Sequence, residues 1–406
     1  MSLSPCGIQV FLSHMNSHSR ILDTPAWDDA TWTALPRLTS NVRTDVCVVG
    51  LGGSGLTCIH ALLERGVRVV GIDASSVGGG AAGRNGGFLL AGTSEFYHDS
   101  VESLGRERAR AIYQLTIDEI ERIAAQTPDV VFRTGSLRIA GSDEEEIDCE
   151  RQLEALRADA FPGEHYEGPE GRGLLVPGDA SFQPLARCRI LATRAVSAGA
   201  RLFEHSPAID VRSGYVRTPD GIIECDKVVV AVDGRLEALL PELSSRIRTA
   251  RLQMLATAPS PEVSLSRPVY SRYGYDYWQQ LPDKRIVVGG CRDAFAEDEW
   301  TNELVTSEAL QSRLEQLLRE KIGSTQPITH RWAALVSYSN NEVPVLEEVR
   351  PGVIAVGAYS GTGNVVGALY GRIAAELAAT GTSSLAGVVK TPARPRSAIS
   401  SASAYK

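Results

Sequence analysis

The sequence lacks any long apolar run. Its hydrophobic stretches fall short of the roughly 20 residues that a membrane-spanning helix needs, and no charged segment precedes the short apolar patch Ile8 to Leu12. The pattern therefore predicts neither a membrane span nor a signal peptide. We expect residues 1–23 to form a flexible N-terminal extension, with Met15 as an alternative start, and residues 386–406 to form a flexible tail.

Cysteine pairs are also missing. The seven cysteines are scattered without a CxxC pair, and Cys47 falls in a strand that is predicted to be buried. This usage predicts reduced thiols, no metal site and a cytoplasmic location. None of the seven histidines lies in an evident cofactor loop, so we do not expect a histidine base.

Positive charge is in deficit. The 49 Asp and Glu residues outnumber the 41 Lys and Arg residues, which gives a formal net charge of -8. Nucleic acid and anionic membrane surfaces repel a net acidic protein, so neither is expected as a partner. A small molecule is the expected partner, while the oligomeric state is not indicated by the sequence.

The best-defined pattern is a strand, a glycine turn, a helix and a second strand that ends at Asp73. In the turn GLGGSG, Gly50 allows the sharp exit from the strand, Gly52 allows close approach of a pyrophosphate, and Gly55 allows the helix to pack on the sheet. The phosphates are expected at the N-terminus of the helix, and Asp73 is suited to ribose hydroxyls. This segment predicts a dinucleotide-binding unit.

Two further glycine-rich segments flank this unit in the predicted fold. Val77 to Gly92 is too flexible for a helix interior and too long for a hairpin turn. It is either a mobile surface loop or, as its place beside a nucleotide site favours, a loop along a flat ligand. Near the C-terminus, the strand Val353 to Val356 runs through a glycine loop into a helix from Asn364 to Ala379.

The middle of the chain alternates between helical and extended patterns. Glu102 to Gln126 predicts one long amphipathic helix, and the Pro- and Gly-rich segment Phe161 to Gly178 predicts a linker between domains. Leu252 to Gly290 predicts antiparallel sheet. If that sheet is regular, Tyr273 and Tyr277 share one face and Trp278 lies on the other.

Taken together, these segments resemble the FAD-dependent oxidoreductases of the D-amino acid oxidase fold. This family includes glycine oxidase, sarcosine oxidase and gamma-glutamylputrescine oxidase, and the resemblance covers roughly residues 24–383. The GRNGG run at residues 83–87 is most similar to the gamma-glutamylputrescine oxidase branch. The other matching motifs are KVVVAVDG at 227–234, RWAALVSYSNNEVPV at 331–345 and GVIAVGAYSGTGNVVG at 352–367.

The resemblance implies an α/β fold. A Rossmann-like FAD-binding domain of the glutathione-reductase type would be interleaved with a substrate domain built on a mixed, largely antiparallel sheet. The FAD-binding domain is predicted to comprise residues 24–127, 179–240 and 331–385, and the substrate domain residues 128–178 and 241–330.

FAD is the cofactor that the resemblance implies. The residues expected to bind it are Gly50, Gly52, Gly53, Ser54, Gly55, Asp73, Ala74, Arg84, Asn85, Gly86, Gly87, Phe88, Ala231, Val232, Gly361, Thr362, Gly363 and Asn364. The cysteine that tethers flavin in the sarcosine oxidase branch would fall at Leu335 or Val336, and no histidine occurs in GRNGG. The FAD is therefore expected to be noncovalent.

The implied activity is oxidation of the C–N bond of a small amine or amino acid, by hydride transfer to flavin N5. The resulting imine hydrolyses, and O2 is the expected electron acceptor. Three alternatives stay open at this point: a flavin dehydrogenase with another acceptor, a nicotinamide-dependent dehydrogenase, and a catalytically degenerate flavin-binding protein.

The catalytic residues cannot be assigned from the sequence. Relatives of the glycine oxidase type hold a substrate carboxylate with an arginine in the segment that corresponds to residues 334–337, where this chain has none. We therefore expect a preference for amines without an α-carboxylate, unless Arg251 or Arg272 substitutes. The candidates for the substrate pocket are Tyr273, Tyr275, Tyr277, Trp278, Arg272, Tyr338 and Tyr359.

Overall fold

A computed structural model describes residues 21–28 and 31–390. The helices are α1 (Gly53–Leu63), α2 (Ala81–Arg84), α3 (Tyr97–Leu104), α4 (Arg106–Gln126), α5 (Asp143–Ala158), α6 (Pro184–Ser197), α7 (Leu236–Leu239), α8 (Ala296–Glu299), α9 (Glu308–Leu317), α10 (Val366–Thr380) and α11 (Ser384–Lys390). In the described residues, no helix has the length and apolar character needed to cross a membrane.

Within the described residues, the strands form four sheets. They are β1 (Val42–Arg43), β2 (Val46–Val49), β3 (Val69–Ile72), β4 (Phe88–Leu89), β5 (Val131–Phe132), β6 (Ser136–Ile139), β7 (Glu164–Gly168), β8 (Gly171–Val176), β9 (Ala180–Phe182), β10 (Arg201–Phe203), β11 (Asp210–Arg212), β12 (Tyr215–Arg217), β13 (Ile222–Glu224), β14 (Lys227–Val230), β15 (Ile247–Thr257), β16 (Val269–Ser271), β17 (Asp276–Gln280), β18 (Ile286–Gly290), β19 (Ile328–Ser339), β20 (Val345–Arg350) and β21 (Val353–Gly357).

A six-stranded sheet with the order β10-β3-β2-β14-β21-β20 carries the predicted nucleotide-binding unit. Its pairings are parallel except for β20, which runs antiparallel to β21. Strands β2 and β3 are buried along their full length, as expected for parallel strands that are covered on both faces. Helices α1 and α10 pack together in the apolar core on one face of this sheet.

An eight-stranded mixed sheet with the order β19-β15-β18-β17-β16-β6-β8-β7 forms the other large layer. One face is covered by α9, whose Leu310 and Leu314 join Trp278 and Val288 in an apolar core. The opposite face looks towards the loops of the six-stranded sheet. The two sheets confirm the predicted α/β fold class.

The predicted linker at 161–178 is wrong, because this segment forms the antiparallel hairpin β7–β8 at the edge of the large sheet. Gly173, one of the glycines that suggested a loop, allows close strand packing instead. At Gly173, φ is +157°, and a Cβ atom would lie 2.0 Å from the carbonyl oxygen of Arg138 on the neighbouring strand β6.

Three boundaries also differ from the predictions. The single helix predicted for 102–126 is broken at Gly105, where φ is +84°, into α3 and α4. Leu22 exchanges backbone hydrogen bonds with β19, and residues 386–390 lie in α11. The rest of both predicted flexible ends, residues 1–20 and 391–406, lies outside the described residues. Strand β19 crosses the predicted domain boundary at residue 331, and the division into domains stays a prediction.

Candidate active site

The glycine turn has the backbone shape that the sequence predicted. Gly50 follows β2 with φ of +108°, and a Cβ atom there would lie 2.5 Å from the carbonyl oxygen of Ala231. At Gly55 a Cβ atom would lie 1.9 Å from the carbonyl oxygen of Gly50. Gly52 caps α1 without a side-chain hydrogen bond from the described residues. The first backbone N–H groups of α1 are therefore available to an anionic ligand.

Asp73, directly after β3, is half-buried and organises the turn beside it. One carboxylate oxygen accepts a hydrogen bond from the backbone N–H of Leu51 at 2.8 Å, and the other accepts from the backbone N–H and hydroxyl of Ser75 at 2.8 and 3.0 Å. Burial raises the pKa of Asp73, and these hydrogen bonds oppose that rise. Each oxygen has a second lone pair, so the contact with ribose stays a prediction.

One cavity of about 560 Å³ lies between the loops of the six-stranded sheet and the inner face of the large sheet. It brings together parts of the chain that are distant in sequence: the segment after α2, the loop before α10, and residues of β15, β17, β18 and β19. The predicted site residues that line it are Arg84, Asn85, Gly86, Phe88, Gly361, Thr362, Asn364, Tyr273, Tyr275, Tyr277 and Tyr338.

The other predicted site residues do not line this cavity. They are Gly50, Gly52, Gly53, Ser54, Gly55, Asp73, Ala74, Gly87, Ala231, Val232, Gly363, Arg272, Trp278 and Tyr359. The glycine turn and Asp73 lie at the strand ends of the six-stranded sheet, where a nucleotide is expected. Ala231 and Val232 pack against the backbones of Gly50 and Gly357.

Two asparagines join the loops on the six-stranded side. The Asn364 amide donates to the side-chain oxygen of Asn85 at 3.0 Å and to the carbonyl of Phe88 at 2.9 Å. The same Asn85 oxygen accepts from the backbone N–H of Gly87 at 2.8 Å. Arg84 donates to the carbonyls of Gly79 at 3.0 Å and Ala333 at 2.9 Å. These side chains therefore fix the loops, which leaves mainly backbone groups to face a ligand.

Asp233 fixes the loop before α10. Its carboxylate accepts from the backbone N–H groups of Tyr359 at 3.2 Å and Ser337 at 3.3 Å, and burial raises its pKa to about 7. The Thr362 hydroxyl donates to the carbonyl of Tyr359 at 2.7 Å, so this residue closes the turn. The hydroxyl of Ser360, which lines the cavity, has no hydrogen-bond partner in the described part of the chain.

The predicted tyrosine face is only partly correct. Residues 272–274 form a turn in which Arg272 and Tyr273 have φ values of +53° and +57°, and this breaks the alternation. Tyr273 instead packs on Phe96 at the outer end of the cavity. Tyr277 keeps its place on β17 and stacks on Tyr270 of β16, with ring centroids 5.7 Å apart.

Four other residues that were considered for the substrate pocket make structural contacts outside the cavity. Trp278 points into the core under α9, and the Tyr359 hydroxyl donates to the Ser54 hydroxyl at 2.8 Å. Arg272 pairs with Asp276 and Asp293, and Arg251 forms a buried ion pair with Glu299. Each arginine has carboxylate partners that hold it away from a substrate.

Arg292 is the arginine that the sequence reasoning missed. It follows β18, lines the cavity and is only 6% exposed. Its guanidinium carbon lies 4.9 Å from the ring centre of Tyr338, 5.0 Å from that of Trp300 and 6.0 Å from that of Tyr275. Burial raises the pKa of Tyr338, and Arg292 partly offsets that rise. An arginine two residues after a strand that ends in two glycines was the available signal.

The outer end of the cavity is rich in charge. Five carboxylates line it together with two arginines, one of which, Arg138, lies 4.4 Å above the ring of Phe96. His98 is 3.6 Å from both Asp99 and Asp148. The carboxylates are those of Glu95, Asp99, Glu102, Glu144 and Asp148.

Asp179 connects one wall of the cavity to the large sheet, and its pKa predicts how the stability of the fold depends on pH. It accepts from the Ala91 N–H at 2.8 Å and the Ser136 hydroxyl at 2.6 Å, and burial raises its pKa to about 6. The folded state therefore binds a proton more tightly than the unfolded state, and stability is lost as pH rises from about 4 to about 6. The difference between this pKa and the ordinary pKa of aspartate corresponds to about 3 kcal/mol in the free energy of unfolding.

Asp179→Asn should remove this pH dependence. The asparagine can keep both hydrogen bonds, because its oxygen accepts from Ala91 and its amide donates to Ser136. Urea unfolding of the two proteins should show the free energy of unfolding of wild type falling by about 3 kcal/mol relative to that of the variant between pH 4 and pH 7. Parallel stability profiles would show that Asp179 titrates in its ordinary range.

The residues fit FAD, the cofactor that the resemblance implies. Gly52 and the uncapped α1 suit a pyrophosphate, and the cavity between the loops and the large sheet suits a flat ring. At the expected tether position, Val336 lines the cavity, and no cysteine of the described residues does so. We predict that denaturation releases the flavin into solution. Flavin absorbance that stays with the polypeptide after acid precipitation would contradict this prediction.

Comparison with known proteins gives consistent matches. Residues 45–377 match the family described as DAO, FAD dependent oxidoreductase. The chain is 28% identical over 367 residues to gamma-glutamylputrescine oxidoreductase of Escherichia coli, with 84% of each chain covered. It is 26% identical over 381 residues to the probable oxidoreductase OrdL of Rhizobium meliloti, with 87% of this chain and 88% of the relative covered.

Solved structures agree in fold. Glycine oxidase from Geobacillus kaustophilus has a TM-score of 0.73 at 19% identity, and the match covers 86% of this chain and 99% of that one. L-proline dehydrogenase from P. horikoshii has a TM-score of 0.69 at 20% identity, with 85% and 96% covered.

Proposed function

Because this chain belongs to the DAO family of FAD-dependent oxidoreductases, we propose that it oxidises the C–N bond of a small amine or amino acid that carries a carboxylate. Family membership confirms the resemblance and the FAD cofactor that the sequence predicted, and it disagrees with the nicotinamide-dependent alternative. When bound, FAD supplies the acceptor for a hydride from the carbon next to nitrogen, which leaves an imine that water hydrolyses to a carbonyl compound and an amine.

The proposed class of substrate rests on the position of Arg292. It is a buried cation on the cavity wall, and the aromatic rings of Tyr275, Trp300 and Tyr338 surround it. A buried arginine favours a carboxylate ligand, because the pair forms two parallel charge-assisted hydrogen bonds. This replaces the expectation that amines without a carboxylate are preferred, which rested on the absence of arginine at 334–337.

The rest of the inner wall excludes water from the reacting carbon. Leu252 and Met254 of β15 line the same cavity as Tyr270, Tyr277 and Phe88. Such a wall favours the neutral form of an amine, so the substrate needs no strong base to reach its reactive form. The chain then contributes chiefly position and desolvation.

The charged outer end of the cavity supports a substrate with a second polar group. Its five carboxylates favour a distal ammonium or other hydrogen-bond donor. We extend the proposal to O2 as the acceptor, although the structural neighbours include both an oxidase and a dehydrogenase. The described cysteines are all free and buried, which supports the cytoplasmic location as part of the same proposal.

Anaerobic flavin reduction tests the proposal. The FAD-loaded protein is mixed with glycine, sarcosine, D-alanine, diamino acids and alkylamines that lack a carboxylate, and flavin absorbance is followed. We expect carboxylate-bearing substrates to reduce the flavin faster, with diamino acids the best. Faster reduction by simple alkylamines would contradict the assigned substrate class, and no reduction by any compound would favour the degenerate flavin-binding alternative.

Admitting O2 to the reduced protein then shows whether O2 or a different compound is the electron acceptor. An oxidase should regain its oxidised flavin spectrum rapidly and produce hydrogen peroxide in an amount equal to the flavin reoxidised. Slow reoxidation together with rapid reduction would identify a dehydrogenase with a different acceptor.

A further inference from the structure

Arg187 is a buried cation whose charge the surrounding protein does not neutralise. It lies in the first turn of α6 and is 2% exposed. Its Nε and Nη2 atoms have no hydrogen-bond partner within the described ranges. The nearby acidic residue Glu119 contacts Arg372 instead through its Oε2 atom, at 2.9 and 2.8 Å, and no hydrogen bond joins it to Arg187 in the described part of the chain. A buried charge without partners is strongly unfavourable in a folded protein.

The Arg187 guanidinium faces the beginning of α1. Its Nη1 atom lies 3.6 Å from the point where a Cβ atom of Gly53 would stand. Helix α1 begins at Gly53, has no acidic residue in its first turn and has no side-chain cap from the described residues. The positive end of a helix dipole therefore meets a second positive charge at the same place. The two repel each other unless an anion binds to both of them.

We propose that Arg187 binds the pyrophosphate of FAD, which makes it a cofactor-binding residue outside the glycine motif. A guanidinium presents N–H groups in a fork that matches two phosphate oxygens, while the N–H groups of α1 contact the same anion from the other side. The proposal rests on the family's cofactor and not on the substrate, so it can fail or succeed independently of the reaction.

The neighbouring arginines of α6 do not have this arrangement. Arg189 pairs with Asp28 at 3.0 Å. Arg194 is exposed and donates to the backbone carbonyl of Gln126. Arg194→Met is therefore a matched control, because it removes the same type of side chain from the same helix without touching α1.

FAD affinity of the apoprotein is the decisive measurement. Binding to wild type, Arg187→Met, Arg187→Lys and Arg194→Met is followed by flavin fluorescence quenching and by calorimetry, and ADP binding is measured in the same way. We expect Arg187→Met to weaken both FAD and ADP by about 10- to 100-fold, since charge-assisted hydrogen bonds to a buried anion are lost. Arg187→Lys should recover part of the affinity, and Arg194→Met should leave it unchanged.

Thermal unfolding separates this role from a structural one. Without cofactor, Arg187→Met should unfold at the same or a higher temperature than wild type, because an unpaired buried charge has been removed. The increase in Tm that saturating ADP produces should be smaller in this variant. A structural arginine would instead lower the Tm of the apoprotein and leave the ADP-dependent increase intact.

The result that overturns the proposal is wild-type affinity for FAD and ADP in a folded Arg187→Met variant. If Arg187→Met does not fold, the same measurements on Arg187→Lys test the proposal. Wild-type affinity for FAD and ADP in Arg187→Lys, together with an unchanged ADP-dependent increase in Tm, would also overturn it. Loss of turnover in a protein that binds FAD normally would contradict the proposed reaction and not the role of Arg187.

Discussion

Arg292→Met is expected to lower kcat/KM for carboxylate-bearing substrates by about a hundredfold. Removing one partner of a buried, hydrogen-bonded charge pair costs about 2 to 5 kcal/mol, and about 1.4 kcal/mol corresponds to a tenfold change. The effect should appear mainly in the rate of flavin reduction at low substrate concentration. Alkylamines without a carboxylate should react with the variant at nearly the wild-type rate, since they make no contact that the substitution removes.

Arg272→Met is the control for this prediction. Arg272 follows a strand of the same sheet, but it pairs with Asp276 and Asp293 outside the cavity. Because it does not line the cavity, its removal should change kcat/KM by less than about threefold, the upper range for a single surface ion pair. Equal losses for amines with and without a carboxylate in Arg292→Met would show that Arg292 supports the aromatic rings around it and does not bind the substrate.

Gly52→Val is expected to lower the FAD occupancy of the purified protein while the fold is retained. A Cβ atom at Gly52 would lie 3.1 Å from the Cβ of Ala82, so the two valine methyl groups would occupy the approach to the first N–H groups of α1. Steric overlap of this kind costs about 1 to 3 kcal/mol, which corresponds to a loss of FAD affinity of about 10- to 100-fold. The ratio of flavin to protein absorbance after purification measures it.

Gly80→Val is the matched control. Gly80 caps the short helix α2, its φ of -84° suits any residue, and no atom lies within 4 Å of a Cβ atom placed there. This variant should keep its FAD. Full FAD occupancy in Gly52→Val would mean that the pyrophosphate does not lie at the N-terminus of α1.

The parts of the fold that the sequence predicted well are those with a local cause. A buried strand, a glycine turn and an amphipathic helix are each visible within about 30 residues, so β2, α1 and β3 lie where they were expected. The sequence analysis missed the hairpin β7–β8, because its glycines make room for residues of β6 that are distant along the chain. Composition alone does not distinguish a glycine that makes room for another strand from one that makes a loop.

The contrast between local and distant causes also explains which site residues were predicted and which were missed. The segment at 84–88 and the loop at 361–364 were found from motifs, and they meet at one cavity. Arg292 belongs to no motif, and only the turn at Cys291, with φ of +57°, aims it towards that cavity. Tyr273 was misplaced because a left-handed turn interrupts the strand, and tyrosine is an uncommon residue at positive φ.

The position of α10 against α1 has a consequence for biosynthesis. Gly371 lies against the backbone of Ser54 in the first turn of α1, and the central strand β14 is flanked by β2 on one side and β21 on the other. A ribosome that has completed the glycine turn must therefore still add about three hundred residues before the turn acquires its supporting walls. Until then α1 exposes an apolar face and β2 an unpaired edge, both of which favour aggregation. Cofactor loading is thus expected to follow release of the finished chain, and FAD supply should affect the yield of mature protein without affecting the rate of its synthesis.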